Sequence, residues 1–340
     1  MKKLKKTQIF TIVTCGLAAV LLTMVLAVGL NTDHFGFGPN GKPAPRTIEN
    51  TKALDPQEEN IDSLEVSWLD GPVTVGLSPD GLIHITERSA KQLDEGRQMD
   101  VSVKSGTLAV RWDGQWFRRW FNVNLGWLGG WMDKELEVLL PPELASGLAK
   151  LRVENTSDTL RITDCAAEAL EASTVSGELI LTACAGEEAL NLSSVSGNVV
   201  LEGTAGGAGL HISTVSGGVE ARNVTCQEEL NISTVSGNCQ YQGTAGVLHI
   251  DTVSGEMEAA LNNCPEEADL DSVSGGLRLE LPEGAGFVAS YSSLSGSFDT
   301  DFPVEKSDGK ARCGTGGGAI AMSTTSGNMG IYRGWRWDGA

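Results

Sequence analysis

His249, Asp251, Asp269 and Asp271 are the side chains whose types and spacing come nearest to chemistry. Each histidine or aspartate of the first pair is followed by an aspartate 20 residues on. If the chain returns on itself with that period, the four project outward from neighbouring rungs at about 5 and 7 Å. Oxygen-rich clusters of this kind hold Ca²⁺. No Gly-Gly-x-Gly-x-Asp calcium repeat accompanies them, so a solvated acidic face is the preferred reading. Other candidates are weaker. Serines recur throughout the repeats, as structural positions do, whereas a catalytic serine is singular and needs a base. The histidines are His34, His84, His211 and His249, and none accompanies a nucleophile-elbow sequence. Acids are dispersed and bases scarce, unlike a glycosidase cleft. Gly314-Thr315-Gly316 leads into another strand, so it is no phosphate loop. No catalytic, cofactor or metal site is assigned, and a non-enzymatic protein is expected.

The residues with repeat spacing belong to a larger pattern. Ser-Thr-Val-Ser-Gly ends at Gly177, Gly217 and Gly237, with close variants ending at Gly197, Gly255, Gly275, Gly296 and Gly327. Two residues after the glycines stand Leu179, Val199, Val219, Cys239, Met257 and Leu277; four after come Leu181, Leu201, Ala221, Tyr241, Ala259 and Leu279. This is the alternation of a half-buried strand. Before the motif, Leu190, Leu210, Leu230 and Leu248 form one column and Leu192, Ile212, Ile232 and Ile250 another. The two sets lie at odd and even offsets from glycine. Grouping the valines (Val175, Val195, Val215, Val235, Val253, Val273) with the later set puts a turn or bulge at the Ser-Thr pair. Small residues such as Thr182-Ala183-Cys184-Ala185-Gly186 mark a further turn. A 20-residue unit cannot bury its apolar face alone, but stacked units can.

The expected fold is therefore all-β: a single-stranded β-helix-like β-solenoid of about 20-residue rungs with an N-terminal β cap, preceded by one transmembrane helix. Lys2, Lys3, Lys5 and Lys6 precede an uncharged stretch, Ile9–Leu30, whose 22 residues span about 33 Å as a helix, enough to cross a bilayer. An uncleaved signal anchor over 8–30 is expected, although Ala27 and Gly29 would also permit cleavage. Residues 1–7 would then be cytoplasmic and the bulk of the chain extracytoplasmic, at the cell membrane. Residues 31–60 read as a linker, 61–150 as the β cap, 151–333 as the solenoid and 334–340 as a tail.

Composition narrows the partners. The chain has 340 residues, 42 of them glycine, and a net charge of −19. The four N-terminal lysines are its only charges before residue 31, leaving 21 basic against 44 acidic groups, a net of −23. A surface that acidic repels phosphate backbones, which excludes nucleic acid as a partner. Trp112, Trp116, Trp120, Trp127 and Trp131, with Phe117 and Phe121, fill one short segment. They would serve either as an exposed contact for a partner, glycan or membrane interface, or as a lid over the first rung. Trp335 and Trp337 pose the same choice at the other end. Cys165 and Cys184 fall in equivalent columns of adjacent rungs, close enough for a disulfide, though small apolar filler is the preferred role. Cys239 belongs to the buried set.

The serial Ser-Thr-Val-Ser-Gly copies, Trp68-Leu69-Asp70-Gly71-Pro72-Val73, Leu139-Leu140-Pro141, and Gly314-Thr315-Gly316 followed by Ser323-Thr324-Thr325-Ser326-Gly327-Asn328 resemble the bacterial β-strand-repeat family of unknown function labelled "putative adhesin", which includes LiaG-like membrane proteins. The resemblance covers about residues 61–333. It implies an envelope protein, adhesin-like as a binding or scaffold module, with a cell-wall polymer or another envelope protein as partner. The alternative is an accessory sensor or regulator of envelope stress acting through a membrane partner, since so short a cytoplasmic segment holds no signalling domain.

Overall fold

The computed structural model describes residues 46–112 and 134–334. Each rung has two principal strands joined by a glycine corner, as in Ala185–Ser194 followed by Val199–Glu202. Before the corner, strands pair in parallel and in register, so Leu151, Leu170, Leu190, Leu210, Leu230 and Leu248 line up as one inward column. After it, Leu160, Leu179, Val199, Val219, Cys239, Met257 and Leu277 make the facing column. Full burial of each such side chain contributes roughly 1.5–3 kcal/mol, and only stacked neighbours exclude the water.

The corner differs from the sequence expectation. The valines turn outward, with Val253 45% and Val273 51% exposed, while the preceding Thr174, Thr214, Thr234 and Thr252 are buried. The strand thus keeps its phase through the Ser-Thr pair and inverts at the Ser-Gly step. At two corners the inward polar residue serves the turn: Ser194 Oγ and Thr214 Oγ1 accept the N–H of Gly197 and Gly217, at 2.9 and 3.0 Å, whereas the buried hydroxyls of Thr174, Thr234 and Thr252 make no such bond. Glycine is required by contact. A Cβ on Gly197 would lie 1.6 Å from the carbonyl oxygen of Gly177, and Gly217 stands in the same relation to Gly197. A second turn is built from left-handed residues, Asp164, Ala183, Gly203 and Asn223.

The rungs do not stack wholly in chain order. Gly318–Ser326 lies between Glu267–Ser274 and Phe287–Ser295, in parallel with both, so the last motif copy is inserted beneath the penultimate one. The hairpin Val304–Ser307 and Lys310–Cys313 covers part of the outermost strand. At the other end Ser63–Trp68 is likewise held between Thr107–Arg111 and Leu148–Ser157. The first strands of the stretch read as the β cap are Ser63–Trp68, Val73–Leu77 and Ile83–Ser89. Ile48–Leu54, in the stretch read as linker, is a strand antiparallel to Ile83–Ser89. Its outward side chains carry the pairing: Arg88 bonds Glu49, and Thr51 meets Thr86.

One component of the expected fold class is corrected. No helix of the described residues is long and apolar enough to cross a membrane, and the fold there is strand with two short helical turns, at Glu95–Arg97 and Pro142–Ala145. Residues 8–30, to which the spanning helix was assigned, lie outside the described residues, as do 116–131 of the tryptophan segment and Trp335 and Trp337.

Candidate functional site

The acidic residues of the sequence analysis are neighbours, as the 20-residue period requires. Asp251 pairs in register with Asp271, and His249 with Asp269. Among the described residues, however, no group of three or more His, Cys, Asp or Glu side chains is placed to hold a metal ion. Asp271 instead accepts a short hydrogen bond from Ser323 Oγ of the inserted strand. Burial, reinforced by the charges of Asp271 and Asp269, pushes the Asp251 carboxyl up to about 7.

That shift gives a stability prediction. An unfolded aspartate titrates near 3.9, so between that pH and about 7 the native state holds more protons than the unfolded one. Stability is then lost as pH rises through this window, and the loss is complete above it. Asp251→Asn removes the penalty. The variant is expected to match its parent near pH 4 and exceed it by about 1–2 kcal/mol at pH 8, a range discounted for partial solvent screening. Urea denaturation at both pH values checks this; a difference that does not change with pH refutes it.

The repeated serines and the cysteines are structural in their contacts. Ser176, Ser196 and Ser216 donate Oγ–H to the carbonyls of Thr156, Val175 and Val195 one rung back. Cys165 and Cys184 are free thiols, each donating to a backbone carbonyl, and burial pushes them up to about 12 and about 11. They are held protonated and unreactive. Cys239 is fully buried in the expected column.

The surface departs from this regularity near the C-terminal end of the stack. There the post-corner strands run Cys239–Ser254, Met257–Leu261, Leu277–Leu281, Met329–Arg333 and Phe298–Thr300 in spatial order. Their register lines up Gln240, Glu258, Arg278, Gly330 and Asp299 as one outward row. Asn238, Glu256, Gly276, Asn328 and Ser297, two residues earlier and just ahead of each strand, border it. Two glycines interrupt these rows, and a shallow open groove of about 380 Å³ follows. The ring of Tyr332 fills the gap at Gly330, where an added Cβ would meet it at 2.3 Å. Arg278 stacks on that ring at 4.4 Å and is itself held by Glu280 at 2.6 Å and Glu258 at 3.3 Å. These acceptors raise the guanidinium further above its ordinary range against the opposing effect of burial.

The asparagines at the border are oriented by the backbone. Asn238 Oδ1 accepts the N–H of Glu256 at 3.1 Å, and Asn328 Oδ1 accepts both N–H and Oγ–H of Ser297 at 3.1 Å. Their amide nitrogens are thereby turned to the remaining side, as donors. The groove thus presents oriented donors, several carboxylate acceptors and one aromatic ring on a rigid sheet.

Comparison with known families decides where this architecture belongs. The model of the family described as Toastrack DUF4097 matches residues 61–331, most of the chain. The chain belongs to the Toastrack DUF4097 family. No curated protein matches it. Among solved structures it is similar to a "putative cell adhesion protein" from Clostridium sporogenes ATCC 15579, at 10% identity over 86% of this chain and 100% of that one, TM-score 0.24. It is also similar to a "putative adhesin" from Bacteroides fragilis NCTC 9343, at 13% identity over 85% and 99%, TM-score 0.31. A third is a "putative lipid binding protein" from Parabacteroides distasonis ATCC 8503, at 12% identity over 83% and 97%, TM-score 0.31. Likeness at this level carries no argument about function.

In this Toastrack chain the groove is the feature that the repeat pattern concealed. Its signal is a pair of departures from the repeat: Gly330 stands where Gln240, Glu258 and Arg278 carry side chains, and Tyr332 follows at an outward position.

Proposed function

We propose that this Toastrack chain is a non-enzymatic, adhesin-like binding or scaffold module of the bacterial cell envelope, working outside the cytoplasm through the groove around Tyr332. The observation that carries the reading is the groove itself: polar side chains from five adjacent strands converge there around an aromatic ring. A rigid parallel stack holds those groups in fixed register, which favours recognition by lowering the ordering cost of binding. A non-enzymatic role is supported by the serines and buried cysteines, whose hydrogen bonds tie rung to rung.

Co-sedimentation of the full chain with protein-free cell-wall sacculi tests the reading, beside a Gly276→Gln variant. A Cβ at Gly276 meets nothing nearer than 3.7 Å, so the longer side chain fills the groove floor without displacing backbone. The parent is expected in the pellet and the variant in the supernatant. Equal sedimentation of both, or of neither, counts against the groove as the contact. Recovery of the chain from cells in the cytoplasmic fraction counts against the location.

A further inference from the structure

We infer that the ligand of the groove is a phosphate-free, polyhydroxylated polymer, a glycan strand laid across the rungs. This rests on the binding reading above and adds the chemistry of what is bound. A hydroxyl is both donor and acceptor, and it is satisfied best where both kinds of partner are already oriented. The groove supplies them side by side. Asn238 and Asn328 present amide donors fixed by their backbone bonds, while Glu256, Glu258 and Asp299 present acceptors between and beside them. Tyr332, laid over Gly330 and carrying Arg278 on its ring, adds apolar surface with a polar tip to the same groove. Five strands at about 4.8 Å give a contact about 19 Å long, enough for several linked rings.

The same residues argue against an anionic polymer. Phosphate recognition uses charge-assisted donors, above all guanidinium groups with open forks. Among the described residues the cation lining the groove is Arg278, whose Nε and Nη2 are already engaged by Glu258 and Glu280 and whose guanidinium lies over Tyr332. Three carboxylates, Glu256, Glu258 and Asp299, line the walls, so a phosphate chain would meet net negative charge. A basic peptide fits the charge, but its ammonium or guanidinium side chains accept no hydrogen bond, which leaves the oriented amide donors to its backbone carbonyls alone.

Titration calorimetry with the full chain tests this, with three probes: N-acetylglucosamine oligomers, poly(glycerol phosphate) and an oligolysine peptide. The neutral oligomer is expected to bind. Tyr332→Ala should weaken it tenfold or more, Tyr332→Phe should keep it within about threefold, and added salt should change it little. Thermal melts of both variants establish that the stack is intact. Preference for poly(glycerol phosphate) or for oligolysine overturns the inference, as does binding indifferent to Tyr332→Ala. Sedimentation with sacculi that Gly276→Gln abolishes, together with no oligomer binding, overturns the glycan assignment and leaves the binding reading standing. Sedimentation indifferent to Gly276→Gln removes that reading instead.

Discussion

Lys134→Met is expected to cost about 3–5 kcal/mol of folding stability, the penalty for leaving a buried charge without its partner. Lys134 and Glu87 are 0% and 1% exposed, and their charged atoms meet at 2.7 Å. The contact is a close, buried ion pair, and Lys134 directs protons beyond it as well. Its ammonium donates to the carbonyls of Arg97 and Trp112, at 2.5 and 2.8 Å, and lies 4.4 Å from the Trp112 ring centroid. Glu87 Oε2 meanwhile accepts the N–H of Met99 at 3.1 Å. The lysine therefore ties three separated segments to one point beneath the first rungs, where Trp68 and Trp112 meet edge to face. Methionine keeps most of the packing and removes the charge, stranding the carboxylate of Glu87. The double variant Lys134→Met, Glu87→Gln should recover at least half of the loss, because no buried charge then remains uncompensated. Urea denaturation of the four proteins of this cycle measures the coupling. A Lys134→Met variant within about 1 kcal/mol of its parent would show that the pair is hydrated or dispensable.

How much of this was legible in the sequence depended on whether the cause was periodic. The stacked strands were, because each inward Leu or Val column repeats at a fixed offset and burial on one face demands that alternation. The corner was misread for a physical reason. Valine is apolar and recurs, so periodicity places it inside, yet the threonine beside it is inside because the corner geometry turns its side chain inward, and at Thr214 the hydroxyl accepts the glycine N–H. The rung order was illegible because every copy carries the same motif and pairs equally well beside any other. The strand pairings, with the contacts of Gly327 to Gly275 and of Gly296 to Gly327, reveal the insertion. The Lys134–Glu87 pair follows no pattern at all, since a lone buried ion pair leaves no period to read. Of the groove, the polar residues look like any solvated face. Its sign was an absence, the missing side chain at Gly330, which means nothing until Tyr332 is seen lying over it.

The glycine ladder is where the repeat and the fold constrain each other most tightly, and Gly197→Ala should expose that constraint. The built Cβ falls 1.6 Å from the carbonyl oxygen and 2.5 Å from the carbonyl carbon of Gly177. These are backbone atoms of the preceding corner, held by their own rung, so no side chain can swing aside. Two rungs must separate locally, and the cost is expected to reach about 3 kcal/mol or more, at the upper end for overpacking. Gly197 does not occupy a left-handed conformation, so the effect is one of space and not of φ. Gly147→Ala is the matched control: its Cβ would meet nothing within 4 Å, again without a left-handed φ. There the loss of unfolded-state freedom should leave stability unchanged or raise it by up to about 1 kcal/mol. Each rung contacts only its neighbours, so a break at Gly197 should also loosen the stack on either side and broaden the transition. Denaturation curves of the two variants decide the matter. Equal stability would mean that the corners have room to part and that glycine recurs there for some reason other than contact. A large loss confined to Gly197→Ala would make the close approach of successive corners the reason that every copy of the motif from Gly177 onward ends in glycine.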